Sequence, residues 1–86
     1  MKYKYELRQI DAWREDEFSW YYNETWKLAE FETAAKEHKT AFLRALHKIG
    51  VSCKRGKCKV VSDGSIYELI DRKTLEPLFC AIPLNF

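Results

Sequence analysis

Tyr3, Tyr5 and Leu7 alternate with Lys4, Glu6 and Arg8, the period of two that an extended strand shows when one of its faces is buried. Ile10 and Ala12 then take the opposite parity, which predicts a bulge near Gln9. Arg14-Glu15-Asp16-Glu17 reads as a polar turn. Beyond it Phe18, Trp20, Tyr22, Trp26 and Leu28 share one parity and predict a second long strand, paired with the first as a hairpin. Asn23-Glu24-Thr25 interrupts that strand with turn-prone residues, as a bulge or as a split into two shorter strands.

From Thr33 the period changes. Ala34, Ala35, His38, Phe42, Ala45, Leu46 and Ile49 recur at steps of three and four, which lines them along one face of a helix over residues 34–49. Thr33 supplies the expected cap at its start. Lys48 complements the dipole at the other end, and Gly50 can take the left-handed conformation that closes a helix. Three short strands follow: residues 57–62 with Val60 and Val61, residues 66–70 after the hairpin signal Asp63-Gly64, and residues 78–82 between Pro77 and Pro83. The predicted fold is α+β with the order ββαβββ, an antiparallel sheet with one amphipathic helix packed on one face.

Length and composition keep this picture to one unit. A chain of 86 residues with no linker-like or repeated segment is read as a single domain, 1–86, burying roughly 60–65% of its unfolded surface. Hydrophobic residues at 47% rule out a disordered chain. Charges run through the first residues, and the longest apolar run, residues 78–82, is far below the ~20 residues of a membrane span. A cytoplasmic protein with no membrane association is expected. The three cysteines, Cys53, Cys58 and Cys80, do not form the even set of a disulfide framework, so reduced thiols are expected.

Chemistry finds little support. None of Ser19, Ser52, Ser62 or Ser65 lies in a glycine-flanked elbow, and Gly50, Gly56 and Gly64 stand too far apart to cradle a phosphate. The chain is therefore read as non-enzymatic, with no catalytic residue and no cofactor. Cys53 and Cys58, with His47 and either Cys80 or His38, offer metal-ligating atoms, but their spacing departs from that of a zinc knuckle. No metal site is expected. His38 falls on the apolar helix face as a core or boundary residue, and His47 on the solvent side.

The charge pattern says more. Residues 36–59 contain Lys36, Lys39, Arg44, Lys48, Lys54, Arg55, Lys57 and Lys59 against Glu37 alone, a net charge of +7 inside a chain of net charge +2. Such an asymmetry concentrates a positive field on one face, and phosphate backbones are its natural partner because neutralising them releases counterions. A solvated, lysine-rich helix face is the plain alternative. The second anomaly is aromatic: Trp13, Phe18, Trp20, Tyr21, Tyr22, Trp26 and Phe31 occupy both parities of the hairpin. A helix covering the side of Trp20, Tyr22 and Trp26 leaves Trp13 and Tyr21 outward, as contacts for a protein partner or stacking groups for unpaired bases. Packing across the strands on a second face is the alternative.

The segments Lys48-Ile49-Gly50-Val51-Ser52-Cys53-Lys54-Arg55-Gly56-Lys57-Cys58 and Asp63-Gly64-Ser65-Ile66-Tyr67-Glu68-Leu69-Ile70-Asp71-Arg72-Lys73-Thr74, followed by Pro77-Leu78-Phe79, resemble short uncharacterised accessory proteins of bacterial mobile elements. The resemblance covers about the second half of the chain. It implies accessory work around DNA transfer or host defence and supplies no site residues. The expected function is a small nucleic-acid-binding accessory domain that uses the eight cations for phosphate contacts. The alternative is a protein-interaction module, an inhibitor or adaptor, acting through Trp13 and Tyr21 of the aromatic hairpin.

Overall fold

A computed structural model describes residues 2–17, 19–34 and 36–84; the expectations for Phe18 in a strand and Ala35 in the helix lie outside these residues. The elements are β1 (Lys2–Arg14), β2 (Trp20–Ala34), α1 (His38–Lys48), β3 (Cys58–Asp63), β4 (Ile66–Asp71) and β5 (Pro77–Pro83). Every paired neighbour is antiparallel, and the sheet runs β2-β1-β5-β4-β3. The described residues form an α+β fold, a five-stranded antiparallel sheet with one helix.

Thr33 and Ala34 are decided by pairing rather than by helical periodicity. Tyr3 pairs with Thr33 and Lys2 with Ala34, so Thr33 bonds into the β1 ladder and Ala34 continues the strand, its carbonyl accepting the Glu37 N–H in the turn toward α1. The expected helix start at Ala34 and the Thr33 cap are thereby corrected. Thr33 is a buried strand residue, and Glu37 precedes the helix without a side-chain cap. The other end follows expectation. Gly50 has φ +87°, its N–H donates to His47 O at 3.0 Å, and the Val51 N–H donates to Leu46 O at 2.9 Å. This is the paired closure that a left-handed residue allows.

Against one face of the sheet α1 lays Phe42 and Leu46, which meet Tyr5 and Leu7 of β1, Leu69 of β4 and Ala81 of β5. Leu7 and Phe42 are fully buried. Phe31 joins from β2, its ring stacked on Tyr5 and on Phe42 at centroid distances of 5.3 and 6.5 Å. His38 sits at the edge of this core as expected. A 2.5 Å hydrogen bond joins its Nδ1 to the Tyr5 hydroxyl, and the rings of Tyr3 and Tyr67 flank it. Burial, with the neighbouring Tyr67 and Tyr3, raises the Tyr5 pKa.

The other face is closed by the chain's own hairpin. Glu6, Arg8 and Ile10 alternate with the helix-facing residues of β1, and Arg8 pairs with Cys80, which pairs with Glu68. Cys80 and Ile10 are nonetheless buried. Their cover is the outer half of β1 and β2, which reaches across β5: the Tyr22 hydroxyl donates to Glu68, and the Trp20 indole N–H donates to Thr74 O at 2.9 Å. Register shifts between Leu7 and Arg8 and between Asp11 and Ala12 leave Leu28 and Asn23 without direct partners. Extra residues of this kind bend a strand pair and increase its twist. Of the bulge or split expected at Asn23-Glu24-Thr25, the structure has the bulge, at Asn23, within one continuous strand. The bulge expected in β1 near Gln9 is corrected: the extra residue at that register shift is Leu28 of β2, and Ile10 takes the other parity because the opposite face also buries residues.

Candidate nucleic-acid interface

The basic segment is placed by two pieces of chain that the sheet holds side by side. Helix α1 ends beside Val51, and the following loop returns to β3 at Cys58. Between the helix and that loop lies a groove of about 370 Å³. Leu46, Val51, Val60 and Leu69 line it together with the exposed Leu43 and His47, and its cations are Lys39, Lys54, Arg55, Lys59 and Arg72. Among the described residues no carboxylate lines it.

The loop itself is held tightly. Gly56 has φ +85°, the Lys57 N–H donates to Lys54 O at 2.9 Å, and the Arg72 N–H donates to Lys57 O at 2.9 Å. A disulfide joins Cys53 to Cys58 across a Cα separation of 6.1 Å. Two reduced thiols were the sequence expectation, and it is corrected: the turn at Gly56 brings together residues that the sequence separates by five. The suggested metal-ligand set is also dispersed. Cys53 and Cys58 bond each other, His38 bonds Tyr5, and Cys80 is buried beneath the opposite face. Burial, with the nearby Glu68 carboxylate, pushes the Cys80 thiol up to about 11.

Of the eight cations singled out from sequence, Lys39, Lys54, Arg55 and Lys59 converge on this groove. Arg44 and Lys48 lie farther round α1, on an exposed helix surface shared with Leu43 and His47. Lys36 and Lys57 are exposed and line neither surface. Arg72 belongs to the groove although sequence reasoning did not choose it. Its only sequence signal was a basic loop, and the β3–β4 pairing that carries it beside Cys58 is a tertiary fact. His47 is exposed, as expected.

Ion pairing sharpens the contrast between the two halves. Among the described residues the ion pairs join Lys2 to Glu32, Lys4 to Glu30, Arg8 to Glu6, and Lys27 to both Glu6 and Glu30. All of these lie on β1 and β2, and none of them involves a cation of the groove.

The aromatic candidates lie at the far end of the hairpin. Trp13 and Tyr21 pair across the ladder and stack at 5.1 Å between ring centroids, with 48% and 45% of their surfaces exposed. A hydrogen bond to Glu15 raises the Tyr21 pKa. The Arg14 guanidinium lies 5.0 Å over the Trp20 ring. The helix does not cover Trp20, Tyr22 and Trp26 as the hairpin reading required; it packs on the inner residues Tyr5, Leu7, Ala29 and Phe31 instead. No helix is long and apolar enough to cross a membrane among the described residues. No family model, curated protein or solved structure matches the chain.

Proposed function

We propose that this chain is a small, non-enzymatic nucleic-acid-binding domain, with the accessory role that the mobile-element resemblance implies. The observation that supports it is the groove between α1 and the loop 51–57, where five cations surround apolar side chains with no carboxylate among the described lining residues. Phosphates take the cations, and the apolar side chains accept the apolar edge of a sugar or base. A groove of about 370 Å³ has the size of a small-ligand pocket, so it fits one nucleotide of a strand better than a flat duplex side.

Fluorescence anisotropy with short labelled single-stranded and duplex oligonucleotides at two salt concentrations tests the reading. If about four phosphates are neutralised, the affinity falls with salt at a log–log slope of about −3 to −4. Replacing Lys54 and Arg55 with alanine makes that slope shallower by about one for each phosphate left without its cation. No binding at low salt, or binding indifferent to salt, removes the proposal.

The stacked and exposed Trp13–Tyr21 pair supports a second reading, a protein-interaction module. Under it Trp13→Ala and Tyr21→Ala abolish capture of a partner while leaving the fold intact, and charge reversal at Lys54 and Arg55 has little effect on that capture.

A further inference from the structure

The disulfide between Cys53 and Cys58 ties the loop that leaves α1 to the first residue of β3. Lys54 and Arg55 stand inside the ring so closed, and both line the groove. No ion pair among the described residues involves either of them. Besides the covalent bond, the loop is held by two backbone hydrogen bonds, Lys57 N–H to Lys54 O and Arg72 N–H to Lys57 O. A Cβ placed on Gly56 would meet nothing within 4 Å, so no packing presses on the turn there. The other cations of the groove stand outside the ring: Lys39 on α1, Lys59 on β3 and Arg72 just after β4.

The bond is also open to chemistry. Cys53 is exposed and Cys58 half-buried, so a thiolate from solution reaches the Cys53 Sγ more readily. Lys54 follows one cysteine and Lys57 precedes the other, and no carboxylate lines the groove among the described residues. Positive surroundings favour a thiolate, and a thiolate that leaves more easily speeds exchange. The third cysteine, Cys80, is fully buried and does not compete.

We infer that Cys53–Cys58 is a reversible redox site which a dithiol reductant opens, and that opening it releases Lys54 and Arg55 from the groove; what the groove holds rests on the nucleic-acid reading above. One thiolate of the reductant attacks Cys53 Sγ, the bond to Cys58 Sγ breaks, and the Cys58 thiolate takes a proton. The reductant's second thiolate then attacks its own sulfur in the mixed disulfide and frees Cys53, which is protonated in turn. The protein gains two electrons and two protons, and the dithiol ends as a disulfide. With the ring open, the two long side chains must be ordered anew each time a strand binds, which weakens binding. Lys39, Lys59 and Arg72 keep their places, so the reduced groove is weakened and not abolished.

The test uses the whole protein, oxidised in air or reduced with dithiothreitol. Iodoacetamide alkylation of the folded protein, read by mass spectrometry, should leave the oxidised form unmodified and label Cys53 and Cys58 of the reduced form, sparing the buried Cys80. Amide hydrogen exchange at Lys57 and Arg72 should speed up on reduction while that at Leu7 and Leu46 holds. A labelled single-stranded oligonucleotide should bind the reduced form about tenfold more weakly. Lys54→Ala together with Arg55→Ala should weaken binding by the oxidised form more than by the reduced one. Cys53→Ser should bind as the reduced form does and ignore the reductant. Alkylation of Cys53 and Cys58 without reductant, unchanged exchange at Lys57 and Arg72, or equal measurable affinity of the two forms overturns the inference. If neither form binds a strand, the nucleic-acid reading fails by itself, and alkylation with exchange still decides whether the site opens the loop.

Discussion

The two faces of the sheet are closed by different means. On the α1 side, Phe42 and Leu46 meet Tyr5, Leu7, Leu69 and Ala81 in an apolar cluster. On the other side the outer hairpin is fastened by directed bonds. The Arg8 guanidinium donates to Thr25 Oγ1 at 2.9 Å and pairs with Glu6, Tyr22 donates to Glu68, and Trp20 donates to Thr74 O. Apolar burial is non-directional and large per side chain, whereas each hydrogen bond nets about 1 kcal/mol. The helix side therefore sustains the fold, and the hairpin side fixes where the hairpin lies.

The largest effect should come from breaking the apolar side. Phe42→Ala is expected to cost about 3–5 kcal/mol, a large share of a small domain's stability, read as a lower urea midpoint. An equally stable variant would show that the core does not depend on α1. Breaking the other side should cost less and act locally. Trp20→Phe keeps an aromatic ring but loses the indole donor and part of the ring surface, for about 1–2 kcal/mol, and hydrogen exchange should speed up at the outer hairpin amides while those of Tyr5 and Leu7 keep their protection. Uniform acceleration would mean that the two faces unfold as one.

The smallest effect concerns pH. Burial holds the Glu68 carboxyl above its ordinary value of 4.5, so the folded chain binds that proton more tightly than the unfolded one. Its contribution is complete below 4.5 and declines as pH rises through the raised folded value. Asp71 has the opposite sign. The backbone N–H groups of Thr74 and Lys73 hold its carboxyl below the ordinary 3.8, so its contribution is present above 3.8 and is lost as the solution turns more acidic. Stability measured across the acid range should flatten on its neutral side in Glu68→Gln and on its acid side in Asp71→Asn. The same flattening in both variants would contradict the assignment.

Local pattern carried much of this fold. Alternation in residues 3–7, the three- and four-residue steps of Phe42, Ala45 and Leu46, and the turn residues Gly50 and Gly64 each state a backbone preference that needs no distant partner. The candidate site was legible in part for a similar reason: a run of cations close in sequence stays close in space, and Lys54, Arg55 and Lys59 do so. Arg72 was not legible, because only the pairing of β3 with β4 carries it there. The Cys53–Cys58 bond was misjudged because spacing alone does not report how sharply the loop at Gly56 turns.

By itself the sequence determined the element types, one amphipathic helix among strands, and the separation of an acidic, aromatic beginning from a basic middle. Periodicity and charge are properties of neighbouring residues, and they survive in any compact arrangement. Tertiary structure decided that Ala34 belongs to a strand, that Ile10 and Cys80 are buried beneath the hairpin, and that Arg72 joins Lys39 across a groove. Those outcomes depend on which strand lies beside which and on where the bulges fall. They are set by the backbone bonding and packing of residues distant in the chain, for which a run of neighbours carries no signal.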